Sequence, residues 1–448
     1  YKVLIDSDKF KDQEFDNLFF NLGQAERLNI SLEPDNIERI TVTASSSVIS
    51  NTGSSSYFGE QAIQNNSSLS RDVKDIIRIN PLVSLLSGSD SQLVIAGSNP
   101  KFNSITVDGI GQNDDFGLNG GGYPTQRSPL PLDSLEQVTV DVAPFDAKVS
   151  GFSGGLVNAV FKSGTNEFEG SVFYEKQSDS LAGTPENDGE EFPLEFLEEV
   201  FGATLGGPII KDKLWFFASY QIKNRKDDVL NADTGEFSRS TEREETLGFG
   251  KLTWQATDND RLVLTYFNDP LERSGTSDFT VLSNRDSSRD AGGDNFKIDY
   301  SHLWDDVVIN AGFMRHESEL SDLAKDATTR NDVAYLSNAG SASQSDTDLG
   351  GLGANTLRDR NKESAYVNVE YYLDTDFGYH TIEAGYSRET NENITNSVYT
   401  GDSAQYTSID DADAGVTFAD YTGNQGWVGS RDLSEDDAER IATAVGID

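Results

Sequence analysis

Two stretches bring together side chains that could do chemistry. Between Gln112 and Ser128, the residues Asp114, Asp115, Phe116, Asn119, Tyr123 and Arg127 put carboxylates, an amide, a guanidinium and two rings into one polar loop. Gly120-Gly121-Gly122 lies in its middle, and glycine lets a ligand or another backbone come close. Such a loop can hold a polar or aromatic solute, or it can pair with the wall of whatever surrounds it. The residues leave both open. Asp114-Asp115 alone makes no calcium site, because such sites take roughly six to eight oxygen ligands. The second stretch, Glu38-Arg39-Ile40-Thr41-Val42-Thr43-Ala44, carries no catalytic group. Ile40 and Val42 lie on one side of a β-prone run and Thr41 and Thr43 on the other. A free strand of this kind can add to the edge of a partner's sheet through main-chain hydrogen bonds. It can also be an ordinary strand of the domain before it.

Most other chemistries are excluded by composition. There is no cysteine, which removes disulfide frameworks, thiolate metal sites and cysteine nucleophiles. The three histidines, His302, His316 and His380, are not at ligand spacing, so neither a metal nor any other cofactor is expected. With a formal charge of −41, the surface repels nucleic acid, whose binding depends on neutralising phosphates. Asp108-Gly109 reads as a tight turn. Glu190, Glu191, Glu195, Glu198 and Glu199 read as a solvated outer loop rather than paired catalytic acids, and Asp410, Asp411 and Asp413 as an exposed acidic loop. We therefore expect no enzyme.

The elements that would position these residues fall into four parts. Residues 1–37 contain short β-prone runs at Tyr1–Ile5 and Leu28–Leu32, closed by Pro34-Asp35-Asn36. Residues 38–68 begin with the β-prone run and continue as a Ser, Asn and Gly-rich stretch, whose composition suits a mobile linker. Residues 69–165 read as a compact α+β unit. Ser70 is placed to cap a helix over Asp72–Ile79, with Val73, Ile76 and Ile77 on one face. Leu93–Ile95, Ser104–Val107, Gln137–Val142 and Leu156–Phe161 are its strands. The chain opens at Tyr1 without a leader pattern and closes at Val445-Gly446-Ile447-Asp448 without a strand, so both ends read as cuts.

Residues 166–448 are built differently. Nine strands are expected, at about 167–177, 198–207, 213–225, 244–256, 261–269, 294–304, 307–318, 364–374 and 379–389. Short connections (Gly207–Asp212, Thr257–Asp260, Asp305-Asp306 and Thr375–Gly378) alternate with long ones. No run of 18 apolar residues occurs, so no transmembrane helix is expected. Alternating turn and loop lengths instead describe an outer-membrane barrel, with its short turns on the periplasmic rim. Leu214, Phe216, Ala218, Tyr220 and Ile222 would face lipid, and Ser219, Gln221 and Lys223 the lumen. Leu262, Leu264 and Tyr266 would face lipid in another strand, as would Val367, Val369, Tyr371 and Leu373 in a third. Trp215, Trp254, Trp304 and Tyr372 lie where an interfacial aromatic girdle belongs. A soluble β-rich binding protein is the competing architecture.

Several motifs point to one family. Ile40–Ala44 resembles the TonB box of TonB-dependent outer-membrane receptors. Ile105-Thr106-Val107-Asp108-Gly109, Leu135–Val140 and Gly154–Asn166 resemble strands of their plug domain and its exit into the barrel. Ile95–Pro100, Gln112–Asn119 and Val142–Ala147 look like the Oar-like subgroup, and residues 1–34 resemble the last strands of its carboxypeptidase-regulatory-like β-sandwich. Ala96 stands where many receptors have an arginine. The resemblance implies a mainly β protein: the end of a β-sandwich (1–37), a TonB box and flexible linker (38–68), an α+β plug (69–165) and the first part of a transmembrane antiparallel β-barrel (166–448). Barrels of this kind have about 22 strands, of which nine or ten would be present here.

The resemblance also implies a function. Such a receptor, in the outer membrane of a Gram-negative bacterium with its N-terminal domain in the periplasm, binds a scarce extracellular solute and imports it. The work would be delivered through Glu38–Ala44 by the C-terminal domain of TonB. Outer-membrane lipid is the other partner, and the resemblance leaves four solute classes open: siderophore, glycan, peptide or vitamin. The alternative is an Oar-like surface role in adhesion, aggregation or export without solute uptake.

Overall fold

The computed structural model describes residues 55–66, 68, 71–86, 92–113, 128–142, 154–183, 195–230, 237–275, 286–325, 354–375 and 377–399, together with several short strand pairs. One of these pairs joins Val3–Ile5 to Gln13–Phe15. The expected strand at Leu28–Leu32 lies outside the described residues.

The N-terminal unit is a five-stranded sheet with two short helices and a separate hairpin. Its elements are β1 (Ser55–Gly59), α1 (Glu60–Asn65), α2 (Val73–Ile77), β2 (Val83–Leu86), β3 (Gln92–Ile95), β4 (Ser104–Val107), β5 (Ile110–Gly111), β6 (Leu135–Asp141) and β7 (Leu156–Phe161). The sheet order is β1-β6-β7-β4-β5, with β4 parallel to β7 and the other pairs antiparallel. Ile76, Ile77, Ile95, Leu135, Val140 and Phe161 are buried in one apolar core. Closing that core is the main favourable term for a unit of this size.

Two expectations are corrected here. Residues 55–65, read as part of a mobile linker, are folded. Phe58 and Ile63 are buried, and they give an otherwise polar stretch enough apolar contact to seat β1 on the edge of β6. The cap of α2 is Asp72 rather than Ser70. Its carboxylate accepts the Lys74 N–H at 2.9 Å, while Ser68 Oγ accepts the Asp72 N–H at 3.1 Å. The apolar face of Val73, Ile76 and Ile77 is buried as expected.

The second unit is a ten-stranded antiparallel sheet. Its strands are β8 (Glu169–Ser178), β9 (Glu195–Ile210), β10 (Leu214–Leu230), β11 (Phe237–Gln255), β12 (Asp260–Asn268), β13 (Leu271–Ser274), β14 (Ser287–Leu303), β15 (Val307–Ala324), β16 (Ala354–Thr375) and β17 (Gly378–Tyr399). They follow chain order, with β13 standing beyond β12 between β11 and β14. All nine expected strands are present; all but β8 and β12 run further than expected, and β13 is an addition. Pro270 has no N–H to give the ladder, so the strand breaks at Asp269-Pro270 and resumes at Leu271. Gly292, at φ +139°, lies against this break and has no room for a side chain.

The two faces of this sheet are opposite in character. Along β10, Phe217, Ser219, Gln221 and Lys223 are buried, while Ala218 and Tyr220 are exposed. Val172, Phe201, Leu205, Tyr266, Phe296, Val367, Val369, Tyr371 and Tyr386 are also exposed. Apolar outside and polar inside is the arrangement that lipid demands of a barrel wall. Trp254, Trp304 and Tyr372 are exposed near the short turns, where a girdle belongs.

Candidate functional site: the seam between plug and wall

Neither sequence-predicted site falls within the described residues. Glu38–Ala44 lies outside them, as do Asp114, Asp115, Phe116, Asn119, Tyr123 and Arg127. The structure does fix the root of the predicted loop. Asn113 Oδ1 accepts the Ile105 N–H at 2.8 Å, and Asn113 Nδ2 donates to the Asn103 carbonyl at 2.6 Å.

The described chemistry is concentrated where the N-terminal unit meets the inner face of the wall. Asp108-Gly109 forms the two-residue turn between β4 and β5, at φ +46° and +77°. A tight hairpin favours Asp-Gly because both positions need positive φ to match the twist of the strands. The turn expected from the sequence is therefore present, and it is also an anchor. Lys251 Nζ, from β11, donates to Asp108 Oδ2 at 3.0 Å and to the Phe161 carbonyl at 3.1 Å. Lys297 Nζ, from β14, donates to the Asp108 carbonyl and pairs with Asp299 at 2.9 Å. Asp108 Oδ1 takes the Phe161 N–H at 3.1 Å. Both members of the Asp108–Lys251 pair are about nine-tenths buried (9% and 10% exposed), so losing either would strand the other away from water. Beside them Phe161 packs on Phe249, with ring centres 3.9 Å apart, and on Phe267 at 5.7 Å.

A second anchor stands at Arg71, a non-glycine residue at φ +55°. Its guanidinium pairs with Asp133 of the same unit and with Glu175 of β8 at 2.5 Å, and it donates to Gln221 of β10 at 3.2 Å. It also stacks 4.1 Å from the centre of the Phe173 ring. The planar fork of arginine suits this four-way contact. Ser134 adds a hydroxyl contact to Ser219 of β10.

The third contact is fully buried. Asn295 Oδ1, on β14, accepts from Gln112 Nε2 at 3.0 Å and lies 2.7 Å from His316 Nδ1 on β15, which must donate to it since an amide oxygen only accepts. Gln112 Oε1, Asn295 Nδ2 and His316 Nε2 have no hydrogen-bond partner among the described residues. Within the plug, burial raises the carboxyl pKa of Glu136, with Lys251 opposing the shift. Burial likewise raises that of Asp72, against Lys74 and Lys223.

Sequence reasoning put Ser219, Gln221 and Lys223 of this wall on the lumen face, where they are buried, but missed the carboxylate beside them. Glu198, expected in a solvated loop, is 3% exposed and holds Lys223 at 3.0 Å and Arg225 at 3.1 Å. The alternation of β9 carries the signal, because Glu198 shares a face with the buried Val200. Among the described residues no group of three or more acidic or histidine side chains is placed to hold a metal.

Comparisons with known proteins agree with this geometry. Residues 47–156 match the family model described as TonB-dependent Receptor Plug Domain, and residues 160–234 match that described as Outer membrane beta barrel domain. The TonB-dependent transporter Oar of Myxococcus xanthus is 37% identical over 163 residues, 34% of this chain and 15% of that protein. A protein described as a probable TonB-dependent siderophore receptor, PirA of Acinetobacter baumannii, is 31% identical over 261 residues, 54% of this chain and 32% of its own length. The chain thus spans a third or less of these curated relatives. Among solved structures, the outer-membrane transporter YddB from Escherichia coli superposes with a TM-score of 0.63 at 14% identity, over 76% of this chain and 48% of that one. The pyoverdine-bound FpvA of P. aeruginosa gives 0.56 at 12% identity, over 77% and 43%. At such identities these two speak for the fold alone. A plug sheet anchored by its Val-Asp-Gly turn to a wall that is apolar on its exposed face, with both family patterns in that order, gives this chain the plug domain and the outer-membrane β-barrel region of TonB-dependent receptors, and the Oar transporter is among the proteins it resembles.

Proposed function

We propose that the protein imports a scarce extracellular solute, using work delivered by the C-terminal domain of TonB pulling on Glu38–Ala44. The observation that carries this reading is the character of the seam. The plug is held to the wall by Arg71, Asp108 and Gln112 through hydrogen bonds and ion pairs, with one aromatic patch around Phe161. A polar seam can trade its bonds for water as it opens, whereas a continuous apolar interface would lose them to exposed hydrocarbon. That is what a stopper moved by a mechanical pull requires. Glu38–Ala44 then lies on the periplasmic side with the preceding domain, because the short turns mark that rim and β8 starts from it. The sandwich end at 1–37, the linker after the box and the plug to residue 165 follow the same order.

The solute would enter from the outer loops, with Asp114–Arg127 at the plug apex as its first contact. Likeness to a protein named as a siderophore receptor keeps siderophores among the classes, beside glycans, peptides and vitamins.

The test is deletion of Glu38–Ala44 from the full-length protein in cells, followed by uptake of the cognate solute. Import should be lost while the amount of folded protein in the outer membrane stays the same. Uptake that continues after the deletion would overturn coupling through this segment. A surface adhesion role, by contrast, would survive it.

A further inference from the structure

Four arginines stand side by side on the inner face of the wall. Arg225 of β10 is the register partner of Arg243 of β11, Arg243 that of Arg273 of β13, and Arg273 that of Arg289 of β14. They share a face with the buried Lys223, Leu247 and Asn295, which fixes them on the lumen side. Like charges directly opposite on neighbouring strands are destabilising unless something offsets them.

The offset is uneven along the row. Arg225 is held by Glu198 at 3.1 Å and Asp227 at 2.6 Å, and Arg289 by Asp322 at 2.5 Å. Arg243 has Glu245 at 3.0 Å. Arg273 is exposed and takes part in no hydrogen bond or ion pair among the described residues. Carboxylates close both ends of the row, and in its middle Arg243 keeps a single carboxylate partner while Arg273 has none among the described residues. One step toward the plug, Leu271, Ala291 and Leu320 form a small buried apolar shelf, which strengthens electrostatic contacts beside it. On the opposite face, at the same height, are Asn224, Glu244, Glu272 and Asp290, again register partners. The wall is therefore polar on both sides here, above the lipid-facing band. In a chain of formal charge −41, an uninterrupted arginine row on one face is not a consequence of composition.

We propose that the middle of this row, Arg273 with Arg243, is an anion subsite of the vestibule, and that the solute carries at least two carboxylate or phosphate groups. Neighbouring strands are about 4.8 Å apart, which sets the spacing of the forks. Each guanidinium can take one oxyanion in a bidentate pair. This deepens the import reading and rests on it for the word solute, but the binding step itself does not need TonB.

The experiment is calorimetric titration of the full-length receptor in detergent, with heat-modifiable migration as the check that each variant is folded. The probes are trigalacturonic acid for carboxylates, tripolyphosphate for phosphates and maltotriose as the neutral trisaccharide. We expect at least one of the two polyanions to bind and maltotriose not to. Arg273→Gln and Arg243→Gln should weaken that binding tenfold or more, and Arg273→Lys, which keeps the charge but not the fork, should fall between. Arg315→Gln, on the exposed outer face and paired with Glu317 and Glu363, should change nothing. Unaltered affinity in both glutamine variants, or no binding of either polyanion by the unmodified receptor, would overturn the subsite. Titrating the protein lacking Glu38–Ala44 separates the two readings. Anion binding that persists in it leaves the subsite standing whether or not uptake needed that segment.

Discussion

The plug and the wall solve opposite burial problems with the same residue types. In the plug, Ile76, Ile77, Leu135 and Val140 turn inward and polar groups face out, as in any water-soluble domain. In the wall, Tyr220, Phe201 and Tyr386 face out while Gln221, Lys223 and Thr265 are buried. The difference shows that exposure means water around the plug but lipid on the outer face of the wall. The plug supplies the lumen wall with polar partners, and lipid supplies the outer face with apolar ones. The seam is where the two rules meet, and it joins buried ion pairs to an apolar patch of Phe161, Phe217, Phe249 and Phe267.

The sharpest way to break the comparison is at Asp108. Asp108→Asn keeps a residue that tolerates positive φ, so the turn survives. It leaves the Lys251 ammonium nine-tenths buried without its carboxylate. Removing one partner of such a pair costs about 3–5 kcal/mol, which corresponds to roughly a hundredfold or more in local opening at about 1.4 kcal/mol per factor of ten. Hydrogen exchange of the β4–β5 amides in the full-length protein should accelerate by that factor, with β15 and β16 unchanged. Equal acceleration in the wall strands would mean that plug and wall are a single cooperative body.

The second test acts on the outer face. Tyr220→Arg puts a cation where lipid is expected and should cost about 2–4 kcal/mol if it lies near the midplane. The measurement is the fraction of heat-modifiable, folded receptor recovered in the outer membrane, which should drop. A normal yield of folded receptor would show that this face of β10 does not meet hydrocarbon.

How much of this was legible in the sequence differs between the two regions for the same reason. Val367, Val369 and Tyr371 alternate with Asn368 and Glu370, so strand β16 was readable inside the lipid band. Its outer half, from Ala354 to Lys362, is mostly polar and carries no such period, so the sequence reads there as loop, although it pairs with β17 throughout and with β15 from Thr356. Glu198 was missed because acidic neighbours on both sides suggested solvent. Alternation with Val200 puts it on the inner face, and its cross-strand place beside Arg225 supplies the partner. The plug motif around Val107-Asp108-Gly109 was legible as a turn, but no local signal connects it to Lys251 or Lys297, whose sequence separations from it are large. The arginine row was invisible for the same reason. Its members are consecutive only across strands.

The smallest effect is expected inside the plug, at Asp72. Burial raises its pKa, and Lys74, the bound Lys74 N–H and Lys223 offset only part of that shift. A carboxyl whose folded pKa lies above its unfolded value of about 3.9 binds its proton more tightly in the folded state. Its favourable contribution is therefore complete below about pH 3.9 and is lost as pH rises through the folded value. At pH 7 the ionised side chain works against the plug even as it caps α2. Asp72→Asn keeps an oxygen to accept the Lys74 N–H and cannot ionise. Protection of the α2 amides against hydrogen exchange should rise in the variant at pH 7, by less than either change above, and the difference should close as the pH approaches 4. Lower protection at pH 7 would mean that the attraction of Lys74 and Lys223 outweighs burial, and that the plug core tolerates charge much as the wall does.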